Sequence, residues 1–166
     1  SFWALSVHYA ASALGVLVGG HLSDRLVIRR QAARMDFEWV GLLLSAPFLI
    51  WMAHANTLAV CLVASGLYGI FRGVYDSNLF AAPFDVTAPR YRSSMVGLVL
   101  SFGFIIGAAA PYLLGAMKKP WGLDAGITLL GIAYVVGSIA ALVGLHGFFH
   151  RDFVPEETTG EEEGLR

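Results

Sequence analysis

Five apolar runs, each roughly 20 residues long and so able to cross a hydrocarbon core about 30 Å thick as a helix, dominate this chain of 166 residues. They extend from Phe2 to Gly20, Phe37 to Ala55, Leu58 to Phe80, Met95 to Met117 and Ala125 to Phe149. Their apolarity is continuous, whereas a membrane barrel alternates over strands of about ten residues. Lipid offers the backbone no hydrogen bonds, so helices are required. The chain is 57% hydrophobic and 14% charged, with mean hydropathy +0.66, too apolar for an ordinary soluble domain. The predicted fold is all-α, a polytopic helical membrane protein with five transmembrane helices over residues 1–153.

Lys and Arg set the expected orientation, because short loops rich in them stay cytoplasmic. Arg25, Arg29, Arg30 and Arg34 follow the first run, Arg90 and Arg92 the third, and Arg151 and Arg166 the fifth. The opposite loops carry Lys118 and Lys119. The amino end is therefore expected outside and the carboxyl end inside, with Trp3, Trp51 and Trp121 near the outer interface and Trp39 near the inner one. Residues 154–166, with Glu156, Glu157, Glu161, Glu162 and Glu163 among Thr and Gly, read as an acidic, disordered cytoplasmic tail. The start at Ser1 inside an apolar run, without Met or a basic lead-in, gives the expectation of a piece of a larger protein.

Several classes are excluded. Cys61 is the single cysteine, so there is no disulfide framework, and its expected role is small-residue packing. His21, His54, His146 and His150 lie near the predicted interfaces and have no metal-ligand spacing. No phosphate-binding loop, nucleophile arrangement or nucleic-acid module is present, so neither an enzyme nor a nucleic-acid partner is expected.

Inside the third run sit two opposite charges one helical turn apart, Arg72 and Asp76. A charge in the bilayer costs at least about 2.5–3.5 kcal/mol and therefore faces a partner or a watery cavity. On a helix Ser65, Tyr68, Arg72 and Asp76, with Tyr75 at the edge, share one sector. Arg72 offers a planar donor fork to carboxylate, phosphate or sugar oxygens, and Tyr68 and Tyr75 add ring faces and hydroxyls. Asp76 either compensates Arg72 or exchanges a proton; the bland alternative is a self-neutralising ion pair. His8 and Tyr9 also occupy a span, where they pack or reach the cavity.

After the first run comes Gly20-His21-Leu22-Ser23-Asp24-Arg25, read as a tight helix-to-loop transition. It resembles the G-x-L-x-D-R signature of the major facilitator superfamily of secondary transporters. The family places a second Gly two residues after the Arg, where this chain has Val27, so the resemblance assigns a conformational-switch role to Gly20, Asp24 and Arg25 alone. It implies that the five spans correspond to helices eight to twelve of a twelve-helix fold, with the amino-terminal half missing. Helices eight and eleven of the family pack against that other half, and their counterparts carry Gly15 with Gly19 and Gly103 with Gly107, spacings that let backbones approach. Pro111 is a candidate kink or hinge.

The resemblance implies an integral membrane transporter, expected in a bacterial inner membrane, moving a small polar solute by alternating access. The solute class expected from Arg72 and its aromatic neighbours is a sugar, sugar acid or organic anion, with weaker resemblance to organic-anion and carbohydrate symporters. No cofactor is expected beyond a coupling proton or sodium ion. The alternatives are a proton-coupled exporter of amphipathic compounds and a non-transport assembly or sensor module. The orientation is testable: single cysteines placed at Arg90 and Lys118 in the full-length protein should label from opposite sides with an impermeant maleimide.

Overall fold

The structure, a computed structural model, describes residues 2–149 together with Arg151 and Phe153. The acidic tail expected over 154–166 lies outside the described residues. Helices α1 (Phe2–Val27), α2 (Ala33–Ala53) and α3 (Leu58–Asn78) are followed by a short α4 (Ala81–Phe84), a 3-10 turn (Pro89–Tyr91) and α5 (Arg92–Gly144), which ends in a π turn (Leu145–Phe149). No strand occurs among the described residues. The helical stretches long and apolar enough to cross a membrane are Trp3–Val27, Ala33–Ala53, Leu58–Phe84, Pro89–Lys118 and Pro120–Phe149.

The last two spans lie within α5, whose one non-helical residue is Gly122, at φ 83° and ψ 163°. Only glycine takes that φ without a Cβ penalty, and Pro120 just before it lacks a backbone donor. The break therefore falls at Gly122, whereas Pro111, the candidate kink, sits in helical backbone. A Cβ on Gly126 would fall 2.7 Å from Leu114 Cδ2, so the two arms of α5 lie side by side at the break.

Helix α1 overruns its expected end at Gly20 and continues to Val27. Ser23 returns its hydroxyl to the Gly20 carbonyl at 3.0 Å, and Leu22, Leu26 and Val27 offer the helix no breaker. The backbone turns only at Ile28–Ala32, where Arg30 N bonds Leu26 O and Ala33 N bonds Arg30 O. The signature thus occupies the last turns of a helix, correcting the helix-to-loop transition read at Gly20. At the opposite end of the bundle Thr57 caps α3, accepting from Val60 N at 3.3 Å.

Helix α3 stands in the middle, packed by α1 and α2, and α2 in turn carries the second arm of α5. Close approach on the α1 side comes from two interlocked pairs of glycines. A Cβ on Gly15 would meet the Ile70 carbonyl, and one on Gly19 would lie 2.8 Å from Val74 Cα; reciprocally, one on Gly73 would enter the Ser12 carbonyl and one on Gly69 would lie 2.5 Å from His8 O. Small residues four apart let backbones pack where lipid supplies no hydrophobic drive between helices. Gly15 and Gly19 therefore face α3 of this chain and not an absent half, because α3 brings its own small pair to the same seam.

On the other flank Gly41 lies under α3, with a virtual Cβ 2.9 Å from Tyr75 N, and Phe48 stacks on Phe71 at 5.4 Å. Ser138 of α5 donates to Trp39 O at 2.9 Å. Beneath these contacts Ala32, Leu145 and Phe149 form a cluster with Met35, Trp39, Val86 and Phe153. The first arm of α5 differs: Phe104 is 74% and Tyr112 79% exposed, and Gly103 and Gly107 have nothing within 4 Å among the described residues.

Filling the seam should break it. Gly73→Val is expected to lower the stability of the purified full-length protein by at least about 1–3 kcal/mol, the usual cost of overpacking. Gly137→Ala, whose Cβ would rest 3.7 Å from Leu42 Cδ1, should be nearly neutral. Unfolding in mixed detergent and denaturant reads both.

Candidate functional site

Around α3 the packing divides the helix into three faces. Gly69 and Gly73 belong to α1, and Phe71 and Tyr75 to α2. Tyr68, Arg72 and Asp76 fall on the third, because steps of four residues drift slowly around the helix. Arg72 Nε lies 3.4 Å from Asp76 Oδ2, with side-chain exposures of 42% and 33%. The pair is thus neither solvent-free nor lipid-like in setting: its partner is its neighbour one turn on, and one side of each group stays open.

The floor of this face is aromatic. Tyr68 is buried at 8% exposure, and its hydroxyl lies 3.0 Å from that of Tyr134 on the second arm of α5. The His8 ring stacks on Tyr68 at 5.1 Å between centroids and 17° between planes, and Tyr9 meets His8 edge-on at 5.3 Å. Ser65 donates to Ala4 O at 3.0 Å, tying α3 to the start of α1. His8 and Arg72, and both tyrosine hydroxyls and Arg72, lie within electrostatic reach of one another.

The sequence-derived stripe is therefore brought together in part. Arg72 and Asp76 present charge at the open face, while Tyr68 lies beneath them as support for the guanidinium. Tyr75 stands on the α2 flank, within electrostatic reach of Glu38 as well as Asp76 and Arg72. Sequence reasoning missed Tyr134 and Glu38. An aromatic hydroxyl and an acid inside apolar runs were the available signals, but their neighbours in space are remote in sequence.

A second cluster joins three segments at the end of the bundle where the Arg-rich loops gather. Arg34 Nη1 donates to Asp85 Oδ1 at 2.8 Å, and Nη2 to Asp24 Oδ1 at 3.2 Å. One guanidinium thereby clamps the end of α1, the start of α2 and the segment after α4. Arg92 reaches the Phe84 carbonyl at 3.5 Å and lies over the Phe84 ring. Of the switch residues expected from the signature, Asp24 enters this clamp, Gly20 faces Ser77, whose Cβ would lie 3.8 Å from a Cβ added to the glycine, and Arg25 forms no ion pair among the described residues.

Two concavities of the described surface lie at these loops, one lined by Arg30, Gln31, Ala32, Leu145 and His146 and the other by Arg25, Leu26, Ile28 and Arg29. No group of His, Cys, Asp and Glu among the described residues could hold a metal ion.

Five membrane-length helices thus carry an ion pair on a half-open face within a span and a charge clamp at the end where the Arg-rich loops gather. The profile of the Major Facilitator Superfamily matches residues 2–165. The chain belongs to that superfamily. It is 30% identical over 107 residues to a mouse (Mus musculus) protein described as a probable small intestine urate exporter, a match covering 61% of this chain and 21% of that protein. The chain thus spans about a fifth of the curated relative it matches. No solved structure gives a significant match.

The clamp separates the two charged members of the signature. Asp24→Asn should raise maleimide labelling of a single cysteine at Gln31, because Arg34 loses one of its two carboxylates. Arg25→Gln should leave labelling near the native level. Equal effects from both would show that the signature acts through general loop charge.

Proposed function

We propose that the chain is part of a secondary transporter that moves a small organic anion across the membrane by alternating access, with Arg72 as the residue that meets the anion. The single observation that carries this reading is the Arg72–Asp76 pair, half open on the face of α3 turned away from the glycine seam and from the Gly41 contact. The family supports carriage as the activity. The name of the mouse relative supports an organic anion over a neutral sugar among the solutes expected from the sequence.

In this mechanism the anion displaces Asp76 from Arg72. Guanidinium presents a planar fork that carboxylate or enolate oxygens accept bidentately. Tyr68, held by the Tyr134 hydroxyl and the His8 ring, fixes the stem of Arg72 so that little rotamer freedom is lost on binding. Asp76, once released, is an acceptor without its cation and provides a seat for a coupling proton or sodium ion. Solute and ion thereby bias the populations of inward- and outward-open states through one pair. The Arg34 clamp belongs to one of those states, because Asp24, Arg34 and Asp85 can all meet only while the three cytoplasmic segments are together. The lipid bilayer covers the apolar outer faces of the spans.

The test uses the full-length protein in proteoliposomes, with labelled urate as probe and unlabelled organic acids and sugars as competitors. Arg72→Lys keeps the charge and loses the fork, so urate affinity should fall roughly tenfold, the scale of one charge-assisted hydrogen bond. Asp76→Asn should depress ion-driven accumulation more than equilibrative exchange. Native affinity in the first variant together with native accumulation in the second would reduce the pair to a structural bridge. Inhibition by lipophilic cations alone would favour export of amphipathic compounds, and no flux at all an assembly role.

A further inference from the structure

We propose that Glu38 is a second seat for the Arg34 guanidinium, which the clamp to Asp85 leaves unused in this structure. The proposal rests on the alternating-access reading but not on which solute moves.

Positions 34, 38, 41 and 45 recur at helical spacing along α2. Gly41 and Ser45 are buried, and Gly41 lies against Tyr75 N. Glu38 therefore sits on the stripe turned to α3, one turn further into the membrane than Arg34. It is partly buried and forms no ion pair among the described residues. A buried carboxylate without a cation is costly.

The charged and titratable neighbours are otherwise committed. On α3, Tyr75 supplies no cation, and Arg72 is paired with Asp76 at 3.4 Å. On α2, Asp36 is held by Arg30 at 3.2 Å and by the Trp39 indole at 3.3 Å. From α1 and the segment after α4, Asp24 and Asp85 approach through Arg34 itself. On α5, Tyr134 is engaged with Tyr68, and His146 Nδ1 faces the Leu142 carbonyl.

Arg34 is the cation within reach, by the (i, i+4) spacing that lets oppositely charged side chains meet on one helix. Its Nη atoms are taken, yet its Nε is buried with no hydrogen-bond partner. A movement that carries residues 81–91 away from α2 breaks the 2.8 Å bond to Asp85. The freed guanidinium then swings up to Glu38 without displacing the backbone of α2. Glu38 is thus a positioning residue that stabilises the cytoplasm-open arrangement and contributes little to the clamped one.

Pulsed-EPR distances between spin labels at Gln31 and Arg90, in the full-length protein in lipid nanodiscs, test this. Asp85→Asn should raise the long-distance population. Glu38→Gln in that background should lower it roughly tenfold, as expected for the loss of one charge-assisted hydrogen bond, and Glu38→Asp should retain part of it. Thermal unfolding of Glu38→Gln should match the native protein, since the clamped state makes no ion pair with Glu38. A long-distance population that Glu38→Gln leaves unchanged, or an Asp85→Asn protein with the clamped distance alone, would overturn the proposal. So would a loss of thermal stability in Glu38→Gln without a change in distance, which would make Glu38 a packing residue.

Discussion

Backbone-to-backbone approach between α1 and α3 is the constraint on which the remaining geometry rests. Gly15 and Gly19 on one helix meet Gly69 and Gly73 on the other, at spacings where any added carbon would enter a carbonyl or a Cα. In lipid this contact depends on packing, because apolar side chains gain nothing by leaving hydrocarbon for hydrocarbon. The seam sets the rotation of α3. With two glycines committed to α1 and the Phe71–Tyr75 flank committed to α2, Tyr68, Arg72 and Asp76 have one direction left, in which Tyr68 is buried under His8 and Tyr134 while Arg72 and Asp76 stay half open.

The same rotation ties the two charged centres together. The ion pair of Arg72 and Asp76 lies along α3, while the Arg34 clamp catches Asp85 just beyond the short helix that follows α3. The ion pair sits on α3 itself and Asp85 follows by way of α4, so the two charged centres are joined through one short stretch of chain.

Much of this was legible in the sequence, since length and continuous apolarity define spans whatever their partners, and the one-turn spacing of Arg72 and Asp76 is a local property. The α1 overrun was less legible because Gly20 looks like a terminator until Ser23, Leu22 and Leu26 are seen to carry the helix past it. Gly69 and Gly73 show the same four-residue spacing as Gly15 and Gly19, and that signal was available. What the sequence hid was pairing across distance: Tyr68 with Tyr134, Arg34 with Asp85, and the direction of Gly15 and Gly19, each of which depends on which helix arrives as neighbour.

The exposed first arm of α5 bears on how such a protein is assembled. Residues 92–121 are anchored at their two ends, by the turn at Pro89–Tyr91 and by the Gly122 break, while Gly97, Gly103, Gly107 and Gly115 have nothing within 4 Å among the described residues. The α1–α3 seam, by contrast, is complete within the described chain. During biosynthesis that seam can close as soon as α3 is in the membrane. The tilt of the arm has no such local template among the described residues. The described chain is thus divided into a part whose packing is set within itself and a part held at its ends.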